Sequence, residues 1–314
     1  MTKYLLRRLP SAFGVLLLAS FVIFLILRAV PGDPAEQLAG NDPSQEAVDA
    51  IRRNLGLDRP LLAQYGTWLA DLVRGDLGTS YMIGGSVSDL LGQRLGNTLE
   101  LTAGSLVFSL TLGLALGIAG VTVKNRFGQT LLSAINSVSL IVPPYVSGFL
   151  LVFVFAIAWP VLPAGGHVSV FDDPQIGFQY LLMPALVLAL PSAAVLARYV
   201  KDGLQQALGE DYARTAKSLG VAPRRILWRH ALPNALPPVL TVLGMQIGVL
   251  IGGAVIIEAV FAWPGLGLLA EQAVTERDYP VIQAVLLFLV AVFVVVQLLT
   301  DLAYALIDPR VRLG

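Results

Sequence analysis

The sequence predicts an all-α integral membrane protein with six transmembrane helices and both termini cytoplasmic. Three observations predict it. The 314 residues are 56% hydrophobic and only 13% charged, with mean hydropathy +0.74, where a soluble domain carries roughly 25% charged residues. Six apolar stretches, at 10–30, 99–123, 130–159, 181–200, 235–257 and 281–306, approach or exceed the ~20 residues that cross a bilayer as a helix. Finally, the Lys and Arg residues favour one side. Lys3, Arg7, Arg8, Lys124, Arg126, Arg198, Lys201, Arg214, Lys217, Arg224, Arg225, Arg229, Arg310 and Arg312 share it, against Arg52, Arg53, Arg59, Arg74, Arg94 and Arg277 opposite, with Arg28 at a span end. The richer side is cytoplasmic because positively charged loops are retained there. Many of the acids fall on the other side, among them Asp33, Glu36, Asp42, Glu46, Asp172, Asp173, Glu271 and Asp278.

The elements follow in order. The N-terminal tail and first span occupy 1–30. Lys3, Arg7 and Arg8 before an apolar run resemble a signal peptide, but the run from Pro10 to Leu27 is long and lacks a small-x-small cleavage pattern, so a retained span is expected. The external segment 31–97 is too long for a plain loop. Asp42-Pro43-Ser44-Gln45 reads as an N-cap, a proline at N1 and a capping-box Gln, with Val48, Ile51 and Leu55 at helical spacing and Gly56 as the stop. A second helix starts at Asp58-Arg59-Pro60, carries Leu61, Tyr65, Trp68, Leu69 and Leu72 on one face, and ends at Gly75. A third short amphipathic stretch, Val87 to Leu95, leads into span two. Such helices suit the outer membrane surface or a docking surface for an external partner, and both readings stay open.

The five-span core follows over 98–306, and 307–314 form a cytoplasmic tail. Span three is long enough to tilt or to include a non-spanning end. Span four carries Pro184 and Pro191 and should kink. Gly113 and Gly117 on span two, and Gly244, Gly248 and Gly252 on span five, recur every four residues. Small residues at that spacing let helices approach closely. The span-five stripe reads as packing within the chain, as a face at a subunit interface, or as part of a solute path bordered by Gln246 and Gly248.

Several chemistries are excluded. With no cysteine there is no disulfide or zinc–thiolate site. Net charge is zero and nothing points to nucleic acid. Charges within spans are few: Arg28, Glu100 and Glu258 lie at span ends and Asp301 near the end of span six. That leaves no charge relay of the kind ion-coupled transport needs. Asp301 reads as an ion-pair partner of Arg310 or Arg312. The only histidines, His167 and His230, are expected on opposite sides of the membrane. There is no HExxH and no GxxxxGK[ST], so no metal or catalytic site is expected, and any ATP must be bound by another chain.

The most informative stretch is the cytoplasmic loop 201–233. Glu210 and Asp211 suit the first turn of a helix and Lys217 its last. Gly220 supplies a left-handed stop and Pro223 opens a second helix. Pro233, Pro237 and Pro238 then set the start of span five. A helix–elbow–helix knob fixed to two spans could transmit a push from a soluble partner; the plainer reading is a basic loop held by anionic lipid.

This loop resembles the EAA loop of ABC-importer permeases. Arg214-Thr215-Ala216 takes the EAA place, Gly220 the glycine, and His230-Ala231-Leu232-Pro233 the ending, in the variant of the peptide and nickel branch. Tyr4-Leu5-Leu6-Arg7-Arg8, Pro31-Gly32-Asp33-Pro34, Gly75-Asp76-Leu77-Gly78-Thr79-Ser80, Asn97-Thr98-Leu99-Glu100-Leu101, Phe261 to Gly267 and Asp301 to Arg310 extend the resemblance along nearly the whole chain, to the B-type subunit of dipeptide, oligopeptide and nickel importers. The resemblance implies a multi-pass protein of the bacterial inner membrane, paired with a second homologous permease, two cytoplasmic ATPases that hold Mg-ATP, and an external binding protein that delivers di- or oligopeptides. It implies that Tyr212, Ala213, Arg214, Thr215, Ala216, Lys217 and Gly220, with Pro223, Leu232 and Pro233 behind them, couple to an ATPase. It makes Glu258 and Trp263 to Gly267 candidates for an external gate or binding-protein contact, the alternative being a re-entrant-like turn that only packs. The rival readings are a secondary transporter and a structural membrane scaffold.

Overall fold

The computed structural model describes residues 2–29, 34–40 and 44–307, with side chains from 8–29, 34–36, 38–40 and 44–300. Pro31 to Asp33, Asp42, Pro43 and Asp308 to Arg312 lie outside the described residues, as does the side chain of Asp301. The described chain is helical, with a single isolated bridge between Thr79 and Ser86. Its helices are α1 (Thr2–Ala29), α2 (Pro34–Ala39), α3 (Gln45–Asn54), α4 (Leu61–Val73), α5 (Val87–Thr122), α6 (Arg126–Ile141), α7 (Pro144–Val152), α8 (Pro174–Gly209), α9 (Asp211–Ser218), α10 (Pro223–Ile226), α11 (Leu232–Val260), α12 (Leu266–Glu276) and α13 (Tyr279–Ile307). Among the described residues five helices are long and apolar enough to cross a membrane, or six if the bent pair formed by α6 and α7 is one span.

That bent pair refines the reading of 130–159 as a span that tilts or includes a non-spanning end: the stretch is broken into two helices. The chain turns by 108° between Arg126–Ile141 and Pro144–Ala158. Pro143 and Pro144 are the reason: a residue before proline is pushed out of the helical region, and Val142 is extended at φ −74, ψ 121. The stretch 87–95 leads into span two as read, forming the first turns of α5, while spans four and five extend beyond their apolar stretches, as 174–209 and, through a π turn at Leu227–Ala231, as 223–260.

The chain divides into two compact units, residues 1–96 with 265–294 and residues 97–264 with 295–314. The first has a core of Leu27, Val87, Leu91, Leu266, Leu269 and Val285 with their neighbours. In it α3 starts at Ser44, whose hydroxyl accepts from the Ala47 amide, so the N-cap is Ser44 rather than Asp42. Its end is as read: Gly56 is left-handed at φ +65, and the Leu57 amide reaches back to the Arg52 carbonyl. The helix α4 packs along span one, where the Tyr65 and Ser20 hydroxyls hydrogen-bond at 2.9 Å and Tyr65 and Trp68 meet the ring of Phe24. In the same unit Asp278, fully buried, accepts hydrogen bonds from the Ser80 hydroxyl and the amides of Tyr81, Met82 and Ile83.

The second unit is built on α8 and α11. Leu188, Leu250, Ala254 and Ile257 form one part of its core, and Leu196, Val200, Leu204, Leu227, Ala235 and Val239 another. Gly113 and Gly117 act by close packing within the chain: a Cβ at Gly117 would lie 2.6 Å from Val200 Cβ and 2.8 Å from the Ala197 carbonyl oxygen. The span-five stripe has mixed uses. Gly244 abuts Thr300 of α13, while Gly252 faces open space.

Candidate coupling and translocation sites

The predicted knob is present as a helix, an elbow and a second helix. Glu210 closes α8 and caps α9 at once, in extended conformation, so a single residue joins the two helices. The elbow is a hydrogen-bonded helix stop: the Gly220 amide bonds the Lys217 carbonyl at 3.1 Å and the Val221 amide the Ala216 carbonyl at 3.1 Å. Gly220 has φ +79, and a Cβ there would meet nothing within 4 Å. Glycine is required by backbone conformation, not by space. Pro223 then sits at the start of α10, as read.

The two sides of the knob differ. Ala213, Ile226 and Leu227 are buried. Tyr212, Arg214, Thr215, Lys217 and Leu219 are exposed, with Ala216 half-buried. Leu219 is 78% exposed and Trp228 57%, which leaves apolar side chains uncovered beside basic ones. On the far side Leu232 and Pro233 begin α11 directly after the π turn, and the Asn234 carboxamide donates to the His230 carbonyl at 2.9 Å. Prolines 233, 237 and 238 lack amide hydrogens, so i→i−4 bonds are missing in these turns.

A second site lies where α11 ends. Glu258 and Trp263 are both fully buried, and Glu258 accepts a 2.7 Å hydrogen bond from the Thr98 hydroxyl. The Trp263 indole N–H donates to the Asn97 carbonyl at 2.9 Å, and the Asn97 side chain donates to the Pro264 carbonyl at 2.8 Å. His167 stacks edge-on against Trp263 at 4.4 Å and lies 3.3 Å from Glu100, whose other oxygen accepts the Val170 amide. Ala262 is left-handed at φ 48, an uncommon conformation for a residue with a Cβ. Asn97, Thr98 and His167 carry no separate sequence assignment to this cluster. The signal that could have found them is Glu100, the one charged residue in the apolar stretch 99–123.

Between these two sites Gln246 accepts a 3.1 Å hydrogen bond from the Ser192 hydroxyl, and Gly248 is half-buried on α11. Sequence reading missed a polar stripe on α6, formed by Gln129, Ser133, Asn136 and Ser137 at helical spacing. With Arg198 of α8 these residues line a cavity of about 550 Å³, and the Asn136 carboxamide oxygen is buried without a hydrogen-bond partner. Among the described residues no cluster of His, Asp and Glu could hold a metal ion.

The family model described as "Binding-protein-dependent transport system inner membrane component" matches residues 109–313, and its N-terminal companion matches residues 1–102. The chain belongs to this family. It is an ABC-importer permease, a multi-pass protein of the bacterial inner membrane, and the ATPase is a separate subunit. The permease is 39% identical to a probable peptide ABC transporter permease of Sinorhizobium fredii, over 99% of this chain and 100% of the relative. It is 36% identical to a glutathione transport system permease of Escherichia coli over 99% of both. Among solved structures, the inward-facing MetNI methionine ABC transporter superposes with TM-score 0.55 at 22% identity, over 70% of this chain and 96% of that one, which shows the shared fold.

Proposed function

We propose that the permease forms half of a translocation path for di- or oligopeptides, opened alternately to each side of the membrane by ATPases that grip the knob around α9. Peptides are favoured because the relatives named above carry peptide and glutathione transport in their names. The termini and the knob are cytoplasmic in this reading, residues 31–97 are external, and 98–306 form the core, as the Lys and Arg distribution favours. The partners are a second homologous permease, ATPase subunits holding Mg-ATP, and an external binding protein.

The observation that carries this reading is the construction of the knob. Its inner side is buried, its outer side exposes Tyr212, Thr215 and Leu219, and it meets span four through the single residue Glu210. Arg214 and Lys217 suit acidic groups around a groove in the ATPase. Gly220 and Pro223 hold the elbow, and Leu232 and Pro233 hand its motion to span five. Gln246, Gly248 and the polar stripe of α6 are the proposed lining of the path. Glu258 and Trp263, being buried, form a gate that a partner reaches only when the turn at 261–264 opens.

The test is reconstitution of the assembled transporter in vesicles with labelled dipeptide and ATP. Gly220→Val forces a β-branched residue into the left-handed region, where an ordinary residue already costs roughly 1–2 kcal/mol. Uptake should fall at least tenfold while insertion and complex assembly persist. Unchanged uptake, or uphill uptake by the permease without any ATPase, would refute the reading.

A further inference from the structure

The first unit contains two adjoining cavities that the transport reading leaves unused. One, of about 350 Å³, is apolar; the other, of about 490 Å³, is lined by charged and polar groups. Leu77 borders both.

Each of three elements lines both cavities. On α1, Phe13, Leu16 and Leu17 line the apolar cavity and Phe24 and Arg28 the polar one. On α4 the two linings lie on different faces, Leu69, Leu72 and Val73 toward the apolar cavity and Gln64, Thr67, Trp68 and Asp71 toward the polar one. On α13, Pro280 and Gln283 line the polar cavity, and Leu287, Phe288 and Ala291 after them the apolar one. The two cavities therefore form one slot, oily at one end and charged at the other. From Phe13 to Arg28 the slot follows about 22 Å of helix at 1.5 Å per residue. One leaflet of a bilayer, headgroups included, is about 20–22 Å deep.

The charged end holds both signs. Arg28, whose guanidinium lies over the Phe24 ring at 5.4 Å, and Arg59 supply positive charge. Asp71 and Asp76 supply negative charge, and the Gln64 carboxamide oxygen is buried without a hydrogen-bond partner. Such an end suits a headgroup with an anionic phosphate and a cationic ammonium, and arginine pairs well with phosphate.

We propose that this slot holds one zwitterionic phospholipid from the leaflet on the Ala29 side, an acyl chain between α1, α4 and α13 and the phosphate against Arg28 and Arg59. A water-borne peptide would fill the charged end and leave the oily end empty; a phospholipid fills both. The lipid braces α4 against span one and is a fixed part of the first unit.

Native mass spectrometry of the assembled transporter, extracted in mild detergent from membranes rich in phosphatidylethanolamine, tests this. Wild type should retain one such lipid per permease. Val73→Trp, at a position 80% exposed, narrows the oily end, and Arg59→Glu reverses charge at the polar end. Each should lower retention at least fivefold with an unchanged elution profile. Val107→Trp, at a position 61% exposed in the second unit, is the control and should retain the lipid. Absence of lipid from wild type, equal retention in all variants, equal loss in the control, or stoichiometric displacement of the lipid by dipeptide would each overturn the proposal. Should Arg59→Glu elute abnormally, the milder Arg59→Gln replaces it with the same expectation.

Discussion

Asp278 lies just before α13 and offers a sharp test of what holds the first unit together. Oδ2 accepts from the Ser80 hydroxyl, the Met82 amide at 2.9 Å and the Ile83 amide at 3.3 Å, and Oδ1 accepts from the Tyr81 amide at 3.2 Å. Replacing it with Asn keeps the shape but removes the charge and turns one acceptor into a donor facing the Tyr81 amide. Hydrogen bonds to a charged group contribute roughly 1.5–3 kcal/mol against 0.5–1.5 for neutral ones, and an orphaned buried donor costs about 1–3 kcal/mol. Even with relaxation of the loop, Asp278→Asn should destabilise the unit by about 3 kcal/mol. For a unit of this size, at about 4 °C per kcal/mol, that lowers the melting midpoint by roughly 12 °C. Thermal unfolding of the purified transporter, followed by intrinsic fluorescence, measures it.

The pH dependence adds a second constraint. Burial alone would raise the Asp278 carboxyl, but the hydrogen bonds from Ser80, Met82, Tyr81 and Ile83 outweigh it and hold the group below its ordinary 3.8. A carboxyl depressed in the folded state stabilises fully above its unfolded value and loses that contribution as pH falls through the folded one. The difference between wild type and Asp278→Asn should therefore stay constant from pH 8 to pH 5 and shrink only below about pH 4. A variant within 0.5 kcal/mol of wild type, or a difference that vanishes by pH 6, would refute the account.

Three further outcomes are expected. Gly117→Val places a Cβ against Val200 and the Ala197 carbonyl and should cost about 1–3 kcal/mol, whereas Gly252→Ala, facing open space, should be near neutral; thermal midpoints of the pair compare them. Thr98→Val removes a hydroxyl donor from buried Glu258 and should cost about 2 kcal/mol, seen as a lower midpoint and an altered uptake rate. The chain has no cysteine, so Tyr212→Cys and Ala213→Cys are clean reporters. A maleimide should label the exposed first and spare the buried second, and assembled ATPase should protect the first.

Much of this was legible in the sequence because bilayer-scale hydrophobicity is a long-window signal. The spans, the left-handed glycines at 56, 75 and 220, and the knob between spans four and five all follow from composition or from local backbone chemistry. The misses have local or long-range causes. The break at Val142 needed Pro143 and Pro144 to be weighed against an unbroken apolar run. The placement of α4 against span one depends on Tyr65 meeting Ser20, 45 positions away. Thr98 and Glu258 lie 160 positions apart, and His167 and Glu100 lie 67 apart. No local pattern brings such pairs together.

The seam between α8 and α11 constrains how the knob could act. A Cβ at Gly203 would meet Ala235 at 3.2 Å, Ser192 bonds Gln246, and a Cβ at Gly253 would meet Leu188 at 2.8 Å. Positions falling on α8 thus pair with positions rising on α11, as two antiparallel helices require. Close-packed cores move as blocks rather than deforming smoothly. A push on α9 would reach α8 through Glu210 and α11 through the helix beginning at Pro223, and both would shift together. The Ser192–Gln246 pair would travel with them, which makes the proposed lining of the path a moving part. Relative motion must then be taken up outside the seam. The bend at Val142 and the π turn at Leu227–Ala231 are suited to that, since both are places where regular helical hydrogen bonding is already interrupted.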